Sequence, residues 1–237
     1  MIEISERLKT IALLIPKNSI LADIGSDHAY LPIYALSKGI IRYAISGEVA
    51  EGPYQSALSN VNRYGLQEKI SVRKGDGLTV IQPEDHVNCV VIAGMGGGLI
   101  ENILKSGRKH LDGVQRLILQ PNIHAYIVRK WLFENYWRIT DEKIMEEDGH
   151  IYELLIAEKG NWDLPEEGRE KQLFFGPFLL KEHSPIFQKK WEREKNEWIN
   201  ILNNLQHAKT ADGIEQKRRK LATYLQWYEE VFDGENS

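Results

Sequence analysis

Short apolar segments alternate with amphipathic ones along the first two thirds of the chain. Residues 20–24 are apolar except for Asp23, a pattern typical of a strand buried on both faces. Residues 87–93 form the most strand-like run, and Ser5 is a suitable cap for a first helix that ends at Pro16. We expect further helices near 31–38, 53–64, 99–106 and 125–135, and further strands near 43–48, 70–73, 116–119, 137–146 and 151–158.

This order of elements predicts an α/β fold, a doubly wound parallel sheet closed by an antiparallel strand pair. The composition changes after residue 160, where a charged linker at 166–171 leads into a helical segment. Apolar residues recur there at spacings of four and three, with a break at 211–213. We therefore expect two domains, 1–165 and 166–237, the second an antiparallel helical hairpin or short coiled coil.

Composition restricts the function classes. The 237 residues are 42% hydrophobic, which is enough for a core, and their longest apolar runs are too short to cross a bilayer. There is no apparent signal peptide, and the single Cys89 fits a reducing compartment, so we expect a cytoplasmic protein. A net charge of −4 counts against nucleic acid as a partner without excluding it, since a local basic patch would suffice.

Each of the first five predicted strands ends in a polar or glycine-rich sequence. In a doubly wound sheet these ends lie side by side at the carboxyl edge, where ligands bind. The ordered set therefore predicts one ligand crevice. In chain order the sequences are Asp23–Asp27, Gly47-Glu48, Gly75–Gly77, Ala93–Gly96 and Gln120–Asn122.

The chemistry of these ends predicts an adenosine-bearing ligand. Glu48 suits the two hydroxyls of a ribose, and Asp76 can accept from an adenine amino group. The glycines that a dinucleotide site needs are missing after Gly25, and Gly94–Gly98 lacks the Gly-Lys-Ser/Thr of a phosphate-binding loop. A cationic ligand without phosphates fits the acids better, and S-adenosylmethionine is such a ligand.

The sheet half resembles the class I S-adenosylmethionine-dependent methyltransferases, which have a Rossmann-like fold. More narrowly, the motifs ADIGSDHAYLP, GDGL, IAGMGG, LQPN and EEDG, in this order before a helical tail, resemble the bacterial tRNA (adenine-22-N1)-methyltransferases. The resemblance covers almost the full length. It implies methyl transfer to N1 of adenine 22 in the D arm of tRNA.

The resemblance also implies a set of cofactor residues. Gly94–Gly96 stands where other amino methyltransferases carry an Asn/Asp-Pro-Pro-aromatic loop, and the absence of that loop favours attack by a ring nitrogen over attack by an exocyclic amine. The residues that match the cofactor motifs are Asp23, Gly25, Asp27, His28, Glu48, Asp76, Gly77, Gly94, Met95 and Gly96.

Three residues are our candidates for catalysis. We expect Asn122 and Gln120 to orient the base and Asp27 to stabilise the developing cation. Alternatively, Asn122 caps the next helix and Gln120 satisfies backbone groups. His28 and His124 have no partner at metal-ligand spacing, so no metal is expected.

Basic clusters in the tail are the candidates for tRNA contact. A basic helix face is usually just solvated; the resemblance implies phosphate contacts by Lys189, Lys190, Lys217, Arg218, Arg219 and Lys220. We expect a monomer. The residues alone leave open a methyltransferase for a small molecule or a protein, and a non-catalytic adenosine-ligand sensor.

Overall fold

The computed structural model describes residues 2–206 and 212–234 and divides into two compact units, with the boundary between Glu167 and Gly168. The first unit contains a seven-stranded sheet. Its strands are β1 Ser19–Ile24, β2 Ile41–Glu48, β3 Ile70–Lys74, β4 Cys89–Gly96, β5 Arg116–Ile123, β6 Trp137–Glu147 and β7 His150–Lys159. Its helices are α1 Glu6–Leu14, α2 Tyr30–Ser37, α3 Glu51–Arg63, α4 Gly97–Ser106 and α5 Ala125–Glu134.

The sheet has the order β3-β2-β1-β4-β5-β7-β6. The first five strands are parallel, and β7 runs antiparallel between β5 and β6. All residues of β1 are buried, as the apolar run at 20–24 predicts for a strand covered on both faces. The predicted α/β fold with a closing hairpin is confirmed. Because the order reverses between β1 and β4, the carboxyl ends of these strands form the crevice of a doubly wound sheet.

Two strands run further than the sequence predicts. The segments Gly94–Gly96 and Gln120–Ile123 contain glycine, proline and asparagine, which favour loops. In the structure they extend β4 and β5, and Met95 pairs with Pro121 across an irregular register. Side chains supply part of the hydrogen bonding between the two strands here. Gln120 accepts from the backbone N–H of Gly94, and Asn122 donates to the backbone carbonyl of Gly94.

The hairpin of β6 and β7 is attached to the rest of the first unit by buried charges. Asp148 and Gly149 have φ angles of 51° and 78°, as a two-residue hairpin turn requires. The fully buried Arg129 of α5 donates from Nε to Glu142 Oε1 at 2.6 Å and from Nη2 to Glu153 Oε2 at 2.7 Å. These two ion pairs connect α5 to both strands of the hairpin.

The second unit is more helical than expected. Helix α6, Arg169–Phe175, begins within the segment predicted as a charged linker, and α7, Pro177–Glu182, follows it directly. The linker prediction was wrong at this point because Leu173, Phe174 and Phe175 are buried and hold the segment as helix. Phe174 packs against aromatic rings of both long helices, α8 Pro185–Gln206 and α9 Asp212–Tyr228.

The two long helices run antiparallel. Leu205 of α8 contacts Arg218 of α9, and Trp198 lies nearer the start of α8 against Tyr224 nearer the end of α9. Part of the predicted break at 211–213 lies outside the described residues, and Asp212 and Gly213 begin α9. No helix within residues 2–206 and 212–234 is long and apolar enough to cross a membrane.

Candidate active site

A cleft of about 370 Å³ opens at the carboxyl edge of the sheet. Its walls come from the ends of β1, β4 and β5, and from α1 and β7, which are distant in sequence. We call it the carboxyl-edge cleft. The residues that form its walls are Arg7, Leu8, Asp23, Gly25, Ser26, Asp27, Tyr30, Ala93, Gly94, Met95, Asn122 and Tyr152.

The loop after β1 has an unusual backbone. Asp27, His28 and Ala29 have consecutive positive φ angles of 42°, 70° and 59°, a region that residues with a Cβ rarely adopt. Glu48 at the end of β2 supports this turn, since its Oε1 accepts the backbone N–H of Asp27 at 2.6 Å. Asn60 donates to the carbonyl of His28 at 3.0 Å. The strained turn directs residues 25–27 into the carboxyl-edge cleft.

Asp23 is a buried acid in the wall of the cleft. Its Oδ2 accepts from the Ser26 hydroxyl at 2.6 Å. Burial raises the pKa of Asp23 to about 7, and the nearby carboxylates of Glu48 and Asp27 act in the same direction. Burial also raises the pKa of Glu48. Desolvated carboxylates of this kind are stabilised by a cationic ligand, so this side of the cleft favours positive charge.

The opposite wall is built from hydrogen-bonded amides. Gln120 is fully buried, and its Oε1 accepts from Arg7 Nη1 at 2.6 Å and from the Gly94 backbone at 3.1 Å. Its Nε2 donates to Asn122 Oδ1 at 3.0 Å, and Asn122 Nδ2 donates to the Gly94 carbonyl at 2.9 Å. Asn122 does not cap α5, whose N-cap is His124. Asn122 therefore presents polar groups to the cleft, and Gln120 lies behind it.

Arg7 and Tyr152 are site residues that sequence reasoning missed. Arg7 is in the first turn of α1, and Glu147 of β6 accepts the backbone N–H groups of Glu6 and Arg7 at 2.6 and 3.3 Å. The guanidinium carbon of Arg7 lies 5.2 Å from the centre of the Tyr152 ring. Glu147 of the EEDG motif thus holds the N-terminus of α1 at the cleft, although Glu6 and Glu147 are about 140 positions apart in the chain.

The structure brings together only part of the predicted site. Asp23, Gly25, Asp27, Gly94, Met95 and Asn122 line the cleft. His28 lies beside it, with Nε2 3.2 Å from Asp27 Oδ1. Asp76 is exposed and Gly77 packs against Ile103, so neither is in the cleft wall. Gly96 is the N-cap of α4.

Two glycines shape the cleft. Gly25 has a φ of +68°, and a Cβ there would lie 2.1 Å from Met95 Cε, so the Met95 methyl group packs directly against the glycine. Gly94 has a φ of +78°, and a Cβ there would lie 3.9 Å from Arg7 Nη1. A bare backbone wall beside buried acids fits an adenosine ligand with a sulfonium and an amino group. Among the described residues, no group of three His, Cys, Asp or Glu side chains could hold a metal ion.

The basic residues of the tail differ in their surroundings. Lys217, Arg219 and Lys220 are exposed. Arg218 donates to the Leu205 carbonyl, and Lys190 lies 4.3 Å from the centre of the Trp191 ring. Lys189 is also exposed.

Comparison with known proteins relates the whole chain to one family. Residues 21–230 match the family described as tRNA (adenine(22)-N(1))-methyltransferase. The enzyme of that name from Bacillus subtilis is 44% identical over 98% of this chain and 98% of its own length. The crystal structure of the B. subtilis tRNA methyltransferase superposes with a TM-score of 0.90 at 42% identity, covering 98% of this chain and 99% of that one.

A second solved structure carries the cofactor. It is a candidate tRNA methyltransferase for the same adenine, from Streptococcus pneumoniae, in complex with S-adenosyl-L-methionine. It has a TM-score of 0.86 and 43% identity, covering 97% of this chain and 99% of that one. With the sheet order, the acidic carboxyl-edge cleft and these full-length matches, the chain belongs to the tRNA (adenine(22)-N(1))-methyltransferase family.

Proposed function

We propose that the carboxyl-edge cleft binds S-adenosylmethionine and the target base together, and that the chain methylates N1 of adenine 22 in tRNA. The observation that carries this proposal is the pairing, in one cleft, of the buried Asp23 on β1 and the exposed Asp27 after it with an amide wall on β4 and β5. The first wall suits a cationic cofactor. The second wall presents hydrogen-bonding groups at the carboxyl ends of β4 and β5, where they can orient a planar base.

The cofactor side of the cleft is formed by β1 and β2. Asp23 and Asp27 attract positive charge, and Glu48 holds the backbone of the strained turn. Glu48 ends the strand beside β1, where an acid suits ribose hydroxyls. Asp76 follows the next strand and is exposed, so it can reach an adenine amino group at the rim. His28 and Gly96 lie beside these walls, and Gly77 follows Asp76 in the chain.

The chemistry requires little of the side chains. Bound S-adenosylmethionine supplies a methyl group whose transfer to the N1 lone pair breaks the carbon–sulfur bond, leaves the electron pair on sulfur and moves the positive charge to the base. Because N1 carries a lone pair and no proton, the chain needs no general base. Its residues hold the reactants in line and exclude water. Asp27 stabilises the charge that develops on the ring.

The base side of the cleft is the β4–β5 wall. Asn122 faces the target base, and the buried Gln120 acts on the base only through Asn122. The base has to leave its stack in the tRNA to enter such a cleft. Met95, which lies over Gly25, provides an apolar surface between the two ligands.

The second unit supplies the tRNA surface in this proposal. The exposed Lys217, Arg219 and Lys220 offer cations for phosphates. Lys189, Lys190 and Arg218 extend the basic surface, and Lys190 and Arg218 also contact Trp191 and Leu205 of the second unit. We propose that residues 1–165 form the catalytic domain and 166–237 the tRNA-binding domain of a monomeric, cytoplasmic enzyme.

Substitution at Asp27 tests the cofactor and reaction together. Asp27→Asn keeps the size and removes the charge of a side chain that is 81% exposed. We expect roughly tenfold lower methyl transfer to tRNA. Asp112→Asn, at an exposed position before β5, is the matched control and should retain full activity. Equal activity of both variants would remove the electrostatic role of Asp27.

A further inference from the structure

We propose that Arg7 is a positioning residue that fixes the amide orientation of Asn122, and that this orientation makes the cleft select adenine through its N6 amino group. This inference rests on the proposed function. It assigns a role to a residue of α1, far in sequence from the cofactor motifs.

Two hydrogen-bond donors fix the orientation of the Gln120 side-chain amide. An arginine side chain has donors only, so the oxygen of Gln120 has to face Arg7. The Nη1–Oε1 distance is 2.6 Å. The Gly94 backbone N–H, a second obligate donor, approaches the same oxygen at 3.1 Å. Two donors on Oε1 leave Nε2 of Gln120 to face Asn122.

The orientation of Gln120 in turn fixes the orientation of the Asn122 side-chain amide. Nε2 of Gln120 can only donate, so Asn122 places Oδ1 against it at 3.0 Å. The Nδ2 group then donates to the Gly94 carbonyl at 2.9 Å. Asn122 Oδ1 has two lone pairs, and one of them is used in this chain of amides. Because Asn122 is exposed and lines the cleft, its second lone pair is the acceptor that we place on the cleft wall.

The acceptor on the cleft wall matches the hydrogen-bonding edge of adenine and not that of guanine. Adenine carries a donor amino group beside the unprotonated N1, whereas guanine carries an acceptor O6 beside an N1–H. An acceptor there pairs with the amino group of adenine and leaves N1 free to react. The same acceptor repels O6 of guanine. Reversal of the amide chain would place a donor at Asn122 and remove this preference.

The position of Arg7 is itself fixed. Glu147 accepts two backbone N–H groups at the start of α1, and the Tyr152 ring lies against the guanidinium. The hairpin of β6 and β7 thus holds the donor that sets the direction of the whole chain of amides.

The test compares two tRNA transcripts, one with adenosine at position 22 and one with purine riboside, which retains N1 and lacks the amino group. For each transcript we would measure kcat/KM, and also the Kd of the protein saturated with S-adenosylhomocysteine. The wild-type chain should bind the purine transcript roughly tenfold less tightly, the usual effect of one lost hydrogen bond. Arg7→Met should lower kcat/KM for adenosine about tenfold and bring the ratio of the two Kd values close to one; the Kd ratio decides, because loss of the amino group also makes N1 a poorer nucleophile.

Two variants serve as matched controls. Arg7→Lys keeps a donor for Gln120 and should retain most of the wild-type ratio. Lys9→Met removes a cation from the same helix, where it pairs with Glu6 at 2.6 Å, and should leave both transcripts unaffected.

A second variant tests the same series of hydrogen-bonded side chains at Gln120. Gln120→Glu still accepts from Arg7 and Gly94 but cannot donate to Asn122, so it should also bring the ratio close to one. A wild-type-like ratio in both Arg7→Met and Gln120→Glu would overturn the inference. Failure of the wild-type chain to methylate either transcript would instead reject the proposed function.

Discussion

The Glu48 carboxylate accepts the backbone N–H of Asp27 at 2.6 Å and so supports three consecutive residues in the left-handed region. Such residues cost of order 1–3 kcal/mol each and persist only when their surroundings hold them. Glu48 thus has a structural role besides the ribose contact that we propose for it. It gives the loop after β1 the shape in which Asp27 lines the cleft.

We predict that Glu48→Gln weakens the cofactor site more than the fold. A neutral amide oxygen is a poorer acceptor, but it also relieves the burial of a carboxylate whose pKa is raised, so the free energy of unfolding should change by about 1 kcal/mol or less. The Kd for S-adenosylmethionine should rise at least roughly tenfold, as for the loss of a charged hydrogen bond. Urea denaturation and calorimetric titration measure the two effects. Glu51→Gln, exposed at the start of α3, is the control, and a Kd equal to that of this control would contradict the prediction.

The buried Asp23 makes stability depend on pH. Its pKa is about 7 in the folded chain, against an ordinary value of 3.8, so the folded state binds more protons than the unfolded state between these values. The free energy of unfolding of the ligand-free protein should therefore fall as the pH rises from about 4 to about 7. Urea denaturation across this range should show the decrease. Asp23→Asn should flatten it, and an unchanged slope in that variant would contradict the prediction.

The same group makes cofactor affinity depend on pH in the opposite direction. A cationic ligand favours the ionised carboxylate, so binding should weaken as the pH falls below about 7 and Asp23 becomes protonated. The loss should approach roughly tenfold per pH unit well below that value. Calorimetric titrations with S-adenosylmethionine, which carries the sulfonium charge, from pH 5.5 to 8 measure it. Asp23→Asn should bind weakly at every pH, and a strong pH dependence in this variant would assign the effect to another group.

The Arg129 ion pairs are predicted to matter when they are broken. Arg129→Met leaves the buried Glu142 and Glu153 without their cation, which should cost about 3–5 kcal/mol of unfolding free energy. Adding Glu142→Leu and Glu153→Leu should recover most of the loss. Arg116→Met, which removes a half-exposed pair with Glu158, should cost about 1 kcal/mol or less. Equal losses for the two arginines, measured in urea, would contradict the buried-charge argument.

The basic face of α9 is predicted to set the salt dependence of tRNA binding. Lys217→Glu with Lys220→Glu changes two exposed residues and should weaken binding. The slope of log K against log salt should decrease by roughly 0.7–0.9 for each lost phosphate contact. Reversal of Lys17 and Lys69, exposed before the amino ends of β1 and β3, is the control. Equal salt slopes for the two double variants would place the tRNA elsewhere.

The sequence predicts the sheet because burial on both faces leaves a strong signal in β1 and β4. The sequence does not predict that β4 and β5 continue past residues 93 and 119, because proline, glycine and asparagine favour loops. Side chains such as Gln120 replace hydrogen bonds between the strand backbones there. Arg7 and Tyr152 have no local pattern of their own. Their place in the cleft depends on the contact of α1 with Glu147, about 140 residues away, which periodicity does not reveal.

The most direct measurement uses labelled S-adenosylmethionine with two tRNA transcripts, one natural and one with adenine 22 replaced by guanine. We expect label in the natural transcript alone, recovered as N1-methyladenosine after digestion to nucleosides, and a strong loss of label with Asp23→Asn. Label at another position, on another atom of the base, or equally in both transcripts would contradict this prediction.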